Sequence, residues 1–450
     1  MKDQIPKGKL RRSVIGGKTA VRVGGQVLGY MAKKPFLSKH AKQAARQRLD
    51  ESSAQAVFAC LSLLKGTALK VAQMLSMELE LFPEAVCREL QKSYNQVPPM
   101  NRALASKAAT NALGKAPGQV FEAFETEAFA AASLGQVHAA QGSNDRALAV
   151  KLQYPGINRT IEDDMQLIKR LLRPLPDFVL IGPVLNEIEA RLMEEIDYEA
   201  EARNMTFFQE RLDLTGVLVP EPWLPGCSGT ILSATKLDGL PLNQWLETNP
   251  DVHEREVVAE RLNDIFIKSF YELRCIHADP NPGNYIVGPD LSVGLVDFGC
   301  VKTFSVEFVE NYRQLIRIVS TGQRDKYFSL LRRMKFIQEE LDEDTEEAIF
   351  QCAYGFGGWL GRLYESERFD FGAVPGYIAE GREWSRTLLK YRRSFTPNPD
   401  FVFLDRTRYG LLRIFEQFKC SVRLRNPYEC GDEQPSAKGL MTGGGQGNEK

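Results

Sequence analysis

Apolar residues recur at three- and four-residue steps through "AQAVFACLSLLKGTALKVAQMLSMELELF", interrupted by Gly66 and stopped near Pro83, and this spacing predicts helix over 51–95. "VPPM" closes that helical segment. From about residue 120 the pattern shortens to "VFEAF", "LGQVHAA" and "ALAVKLQ", β-friendly runs of which the last two are separated by "GSNDR", a hairpin signature. These runs predict a small antiparallel sheet. Charged helix returns over 157–212, "GTILSATKLDG" adds a strand before a turn at Asp238-Gly239, and the rest to about 425 reads as mainly helical. The exception is "NYIVGPDLSVGLVDFG", a second hairpin. The Gly-rich polar tail from 426 to 450 is predicted to be disordered. No internal repeat is visible.

Composition permits an enzyme and names none: 450 residues, 43% hydrophobic and 26% charged, are ordinary globular material. No apolar run reaches the roughly 18 residues of a membrane-spanning helix. The eight cysteines form no C-x-x-C pair and there are only four histidines to accompany them, so reduced thiols and a cytosol-like compartment are expected. Charge is balanced over the chain but not along it. Residues 1–48 hold thirteen lysines and arginines against the single acid Asp3, interleaved with "SVIGG", "VGGQVLGYM" and "PFLS". Such a segment suits an anionic membrane surface, where each basic group contributes on the order of 1 kcal/mol. A solvated basic face packed on the acidic remainder is the alternative reading. No nucleic-acid partner is expected.

Three stretches carry chemistry. Ala130, Ala132, Gly135 and Val137 fill the four fixed places of the phosphate-covering pattern G-x-G-x-x-G-x-V, and Lys151 in "LAVK" follows on the next strand. Only one glycine of three survives, so the loop is expected to be stiffer and differently fitted to phosphate. In "IHADPNPGNYIV", Asn284 stands five residues after Asp279, as in the kinase catalytic loop, and Asp297 in "LVDFG" lies eighteen residues after Asp279. That spacing puts an acid and an amide on one loop and a second acid ahead of Phe-Gly. Lys151 then needs a carboxylate, and "EEIDYEAEARN" offers Glu195, Asp197, Glu199 and Glu201.

With these residues in place the chain resembles the UbiB/AarF family of atypical protein-kinase-like proteins, closest to the branch associated with coenzyme Q biosynthesis. The resemblance runs from Ile5 to about residue 425. Lys70 and Gln73 in "LKGTALKVAQMLS" match the family's K-x-G-Q helix, with Ala72 in the place of its glycine. Ala130, Ala131, Ala132 and Ser133 match the alanine-rich nucleotide loop, and Lys151 the strand lysine. Glu195 and Asp197 match E-x-D, and Glu201 the partner of Lys151, while Asp279, Asn284 and Asp297 complete the site. What the resemblance implies is an α+β, protein-kinase-like two-lobed fold with a small antiparallel N-lobe sheet, a mostly helical C-lobe and a helical N-terminal extension. It further implies ATP or ADP with Mg²⁺ held by Asn284 and Asp297, Lys151 pairing with the phosphates and Asp279 orienting or deprotonating the attacking hydroxyl or water. The K-x-G-Q helix is expected to lie across the active site, its lysine reaching the E-x-D acids.

The expected organisation is a basic membrane-proximal segment over 1–50, a helical extension over 51–118, an N-lobe over 119–237, a C-lobe over 238–425 and a tail over 426–450. After Asp297 the chain is expected to pass straight into a helix, without an activation segment or A-P-E to dock a protein substrate. Protein phosphorylation is therefore not expected. The favoured function is a Mg²⁺-dependent ATPase supporting ubiquinone biosynthesis, in contact with quinone-pathway enzymes or lipid-like precursors, cytoplasmic and peripheral on the inner membrane face. A small-molecule kinase of the aminoglycoside or choline type and a nucleotide-gated scaffold with little turnover are the alternatives.

Overall fold

The computed structural model describes residues 100–430, apart from 133, 174–177, 321–322, 338–340, 390, 392–393 and 397, together with Gly25. Lys70, Ala72, Gln73, Ser133 and, Gly25 apart, the basic segment 1–48 lie outside the described residues. The chain divides into two compact units, Met1–Thr206 with Glu221–Lys236, and Phe207–Pro220 with Leu237–Lys450.

The first unit is built on a four-stranded antiparallel sheet in the order β1-β2-β3-β5, where β1 is Ala123–Ala132, β2 Gly135–Gly142, β3 Arg146–Gln153 and β5 Ile231–Thr235. The hairpin expected at "GSNDR" joins β2 to β3 through Asn144 and Asp145, both left-handed at φ 62° and 57°. Asn and Asp tolerate that conformation better than most residues, which is why the turn is legible in sequence. A helix, α1 (Arg102–Leu113), caps with the Asn101 side chain accepting from Leu104 N and ends at left-handed Gly114. Its small residues Ala105, Ala108 and Ala109 sit in one core cluster with Phe121, Leu148, Val150, Leu152, Trp223 and Ile231. Three helices follow β3: α2 (Ile157–Leu172), α3 (Phe178–Glu195) and α4 (Tyr198–Arg211). On α2, Ile161, Met165 and Ile168 are fully buried at steps of four and three, the stripe that made the segment readable as helix.

The second unit is mostly helical. Its four-stranded sheet runs β4-β9-β8-β6, with β4 Val217–Leu218, β6 Leu240–Pro241, β8 Tyr285–Val287 and β9 Val293–Leu295. β8 and β9 form the expected hairpin, with Tyr285 opposite Leu295. After α5 (Leu242–Glu247), α6 (Val252–Ile267) starts on a capping box in which Asp251 Oδ1 accepts from Glu254 N at 2.9 Å and Glu254 Oε2 from Asp251 N at 2.8 Å. A separate pair joins β7 (Cys275–His277) to β10 (Val301–Thr303), and α7 (Val306–Ser320), α8 (Arg324–Arg333), α9 (Glu343–Gly361), β11 (Phe369–Asp370), α10 (Tyr377–Leu389), α11 (Pro399–Phe418) and β12 (Ser421–Val422) follow.

Two expectations are corrected here. The chain does not pass straight from Asp297 to a helix: β10 intervenes, because backbone pairing of Val301 to His277 and of Thr303 to Cys275 returns the segment along β7 before α7 begins at Val306. And the tail does not start at 426, because Pro427–Cys430 form a short helix, α12. Its anchor is Glu429, 5% exposed, which accepts from Arg408 at 2.8 and 2.9 Å and from Tyr271 Oη at 2.6 Å, while Tyr428 stacks on Tyr271 with ring centroids 4.7 Å apart. Paired and hydrogen-bonded charge of this kind is held in place, since removing either partner leaves the other buried alone.

Candidate active site

In the first unit β3 sends Val150 and Leu152 into the core, so strand alternation turns Lys151 to the opposite face. There its Nζ lies 3.0 and 2.9 Å from the two carboxylate oxygens of Glu201 on α4 and 5.2 Å from the ring centroid of Tyr198. The Lys151 side chain is 13% exposed and that of Glu201 2%. The acceptor comes to this place through local capping: Asp197 Oδ1 accepts from Ala200 N at 2.9 Å and the Asp197 carbonyl from Glu201 N at 2.9 Å, so Asp197 starts the helix that carries Glu201. Glu195 stands at the last residue of α3, half-buried, and Asp197 is exposed. Gln153 ties β3 to the same junction by donating to the Ile196 carbonyl and, at 3.3 Å, to that of Gly229.

The alanine-rich segment is strand rather than open loop. Ala130, Ala131 and Ala132 pair with Val137, Gln136 and Gly135, after two register shifts in β1, and none of the three has positive φ. Alanine is therefore accommodated without the backbone freedom that glycine supplies. Gly135 also meets a packing constraint: a Cβ built on it would sit 2.4 Å from the Leu152 carbonyl oxygen, so the close approach of β2 to β3 needs a residue without a side chain. His138, on β2, is buried among polar partners, donating from Nδ1 to the Glu125 carbonyl at 2.8 Å and accepting at Nε2 from Gln136 Nε2 at 2.8 Å.

In the second unit the loop after β7 is a chain of tight turns. Asn281 N donates to the Asp279 carbonyl at 2.8 Å and Asn284 N to the Asn281 carbonyl at 2.9 Å, while Asn281 Oδ1 accepts from Gly283 N at 3.0 Å. This winding brings Asn284 Nδ2 to 2.9 Å from Asp279 Oδ2. Val296 N donates to the Asn284 carbonyl at 2.9 Å, which sets Asp297 beside the same loop. Asp297 is left-handed at φ 62°, uncommon for a residue with a side chain, and Gly299 N donates to its Oδ1 at 3.4 Å. His277 Nε2 donates to the Asp297 carbonyl at 2.8 Å, and Phe298, fully buried, packs edge-on against the His277 ring at 5.6 Å. Asp279 Oδ1 meets Arg406 Nη2, from α11, at 3.4 Å. The sequence reading missed Arg406; it lies 127 residues from Asp279 in a helix whose pattern reports only amphipathicity, and no local signal marks it.

The donor set suits a hard cation shared with phosphate. Asn284 spends its amide N–H groups on Asp279, which leaves Oδ1, the side-chain atom able to face a cation, without a protein hydrogen-bond partner among the described residues. With the Asp297 carboxylate this makes two oxygen donors, and Mg²⁺ is commonly held by one or two carboxylate-type ligands plus phosphates and water. Among the described residues no group of three or more His, Cys, Asp or Glu forms a protein-only cage. Nor is any helix of the described residues long and apolar enough to cross a membrane.

The ABC1 atypical kinase-like domain matches residues 92–330. The mitochondrial atypical kinase COQ8B of Danio rerio is 26% identical over 439 residues, covering 94% of this chain and 68% of that protein. COQ8B of Rattus norvegicus is 28% identical, covering 74% of this chain and 64% of that protein. The probable protein kinase UbiB of Cronobacter sakazakii is 31% identical over 231 residues, 49% of this chain and 42% of that protein. This chain thus spans about two thirds or less of the length of these curated relatives. Among solved structures, the Mycobacterium tuberculosis protein Rv3197, in complex with erythromycin, superposes with a TM-score of 0.58 at 22% identity, covering 85% of this chain and 96% of that one.

Proposed function

The chain belongs to the ABC1 atypical kinase-like family, in the UbiB/AarF group, with an α+β kinase-like fold, and from that premise we propose that it is a Mg²⁺-dependent ATPase supporting ubiquinone biosynthesis at a membrane surface. The observation that carries the reading is the Val296 N–H donated to the Asn284 carbonyl at 2.9 Å, which gathers Asp279, Asn284 and Asp297 at adjoining strand ends. Phosphoryl transfer asks a protein for positioning and charge stabilisation rather than covalent chemistry, and two acids and an amide in this order supply that. Asn284 Oδ1 and the Asp297 carboxylate would hold the cation, which when bound neutralises charge on the phosphate oxygens. Lys151, held in place by Glu201, pairs with phosphate. Asp279 orients the attacking water: Asn284 fixes one of its oxygens and Arg406 approaches the other.

Transfer to a protein hydroxyl is disfavoured because the chain from Asp297 to α7 is short and its middle, β10, is bound to β7. The membrane contact is assigned to the basic segment 1–48, and Lys70, Gln73, Glu195 and Asp197 to a regulatory group, on the family resemblance. Ala130, Ala131, Ala132 and Ser133 are assigned to the nucleotide.

Thermal stability with ADP or ATP, each with and without Mg²⁺, tests the core of this reading. Wild type should gain stability in a Mg²⁺-dependent way, and Asp297→Asn should lose that gain. Steady-state ATP hydrolysis should then rise on anionic vesicles. No shift at millimolar nucleotide would reject a nucleotide site, and turnover appearing only with an added small-molecule acceptor would replace the ATPase by a small-molecule kinase.

A further inference from the structure

α6 does not end as an ordinary α-helix. Residues Lys268–Glu272 form a turn of π-helix, closed by Leu273 N donating to the Lys268 carbonyl at 3.1 Å. Such single-turn expansions rotate the side chains that follow and recur at functional sites. Here Ser269 is 1% exposed. A serine inside a helix can turn its hydroxyl to solvent or return it to the carbonyl four residues earlier. Ser269 Oγ instead has no hydrogen-bond partner among the described residues, and neither has His277 Nδ1, although both are buried.

Both residues line one small cavity of about 10 Å³, together with Leu262, Ile276, Leu295 and Thr407. That volume is about what one water needs; of the other lining residues Tyr285 and Thr407 carry hydroxyls, and that of Thr407 already donates to the Phe403 carbonyl at 2.9 Å. The other ring nitrogen of His277 faces carbonyl oxygens only, those of Asp297 at 2.8 Å and Val296 at 3.2 Å, so Nε2 carries the proton and Nδ1 looks into the cavity.

We propose that one internal water occupies this cavity, bridging Ser269 Oγ and His277 Nδ1, and that Ser269 is a positioning residue for Asp297. The water fixes the ring from behind, the ring fixes the Asp297 carbonyl from in front, and the carbonyl helps to hold Asp297 in its left-handed conformation. The functional consequence rests on the reading of Asp297 as a metal ligand; the water site does not.

The test uses the full chain labelled with ¹³C,¹⁵N-histidine, in which four ring systems are to be assigned. The wild-type His277 Hε1 should show cross-relaxation to a long-lived water, and Ser269→Ala should weaken it and move the Nδ1 resonance. The same variant should raise the Kd for Mg²⁺–ADP about tenfold, the lower end of what partners behind metal ligands contribute, with Mg²⁺-free ADP binding unchanged. Ser269→Cys, which keeps the volume, should fall between the two, and it replaces Ser269→Ala if that variant does not fold. No long-lived water at Hε1 in wild type overturns the site. A persisting water signal with unaltered Mg²⁺–ADP affinity in the variants overturns the positioning role. Failure of wild type to bind Mg²⁺–ADP would instead count against the proposed function, with the ring spectrum still deciding the water.

Discussion

Arg406 places Nη2 at 3.4 Å from Asp279 Oδ1 while Asn284 holds Oδ2 at 2.9 Å, so both oxygens of the proposed nucleophile-orienting acid face a donor. A guanidinium at this place can stabilise charge as it develops on the transferred phosphoryl group. Arg406→Ala is expected to lower kcat for ATP hydrolysis by about 10²-fold, the scale of losing one preorganised donor. The Mg²⁺–ADP thermal shift should stay. Arg406→Lys should retain part of the activity, and added guanidinium should partly restore Arg406→Ala. Unchanged turnover in Arg406→Ala would reduce the contact to a surface ion pair of negligible worth.

The Lys151–Glu201 pair predicts a non-additive stability cycle. With Glu201 2% and Lys151 13% exposed, Glu201→Gln leaves a largely buried ammonium facing a neutral amide and should cost about 3–5 kcal/mol in urea unfolding. Lys151→Met with Glu201→Gln removes both charges and should recover most of that stability. The double variant should nonetheless have lost its nucleotide response, separating the structural worth of the pair from its proposed role on phosphate.

At the head of the sheet the two small residues should behave oppositely. Gly135→Ala drives a methyl to within 2.4 Å of the Leu152 carbonyl and must displace backbone, so a marked fall in Tm is expected. Ala130→Gly meets no such obstacle. It should cost about 0.5–1 kcal/mol, the entropy of glycine in a strand, and alter ADP-over-ATP preference measured by competition. Identical nucleotide preference in Ala130→Gly would remove the alanine segment from nucleotide recognition.

The legible and illegible parts of the molecule divide along local signal. The Asn144–Asp145 turn, the Ile161–Met165–Ile168 stripe and the Asp279–Asn284–Asp297 spacing are each written within one element or loop, where residue type and period report conformation directly. β4, β6 and β10 are two or three residues long, too short for any period, and their pairing is decided by partners far along the chain. Arg406 and Ser269 are invisible for a related reason. One matters through a contact 127 residues away, and the other through a helix that changes its hydrogen-bond step at that residue. Gly135 carries a constraint that the motif does not report, since the sheet leaves no room there for a Cβ.

On α11, Asp405 has no hydrogen-bond partner among the described residues, and loss of hydration pushes its carboxyl from 3.8 up to about 7. Between those values the folded chain keeps a proton that the unfolded chain releases, so stability falls as pH rises through this window. Asp405→Asn should therefore raise the urea midpoint at pH 8 and leave it nearly unchanged below about pH 3, where the wild-type acid is largely neutral in both states. An equal effect at both pH values would show that the substitution acts through packing rather than charge.

His138 carries the opposite sign in the other unit. Burial lowers its pKa below 6.5, against a smaller upward influence from the bond to the Glu125 carbonyl. The polar chain around it explains why the neutral ring is preferred. Met100 N occupies Gln136 Oε1 at 2.7 Å, which fixes the Gln136 amide with its N–H groups toward His138 Nε2. A proton on Nε2 would face a donor, and the amide cannot turn without abandoning Met100. Below the unfolded value of 6.5 the unfolded chain binds a proton that the folded chain refuses, so stability is lost as pH falls from about 7 toward the lowered folded value. Unfolding of the first unit, followed by amide exchange on β2 and β3, should become easier over this range in wild type. In His138→Asn, which is less stable throughout, the opening free energy, taken from the exchange rates after division by the base-catalysed intrinsic rate, should lose its pH dependence between about pH 5 and 7, the range in which an unperturbed histidine titrates. A wild-type profile that is flat there would mean that His138 keeps its partners when charged, and that the Gln136 amide is not fixed as the geometry requires.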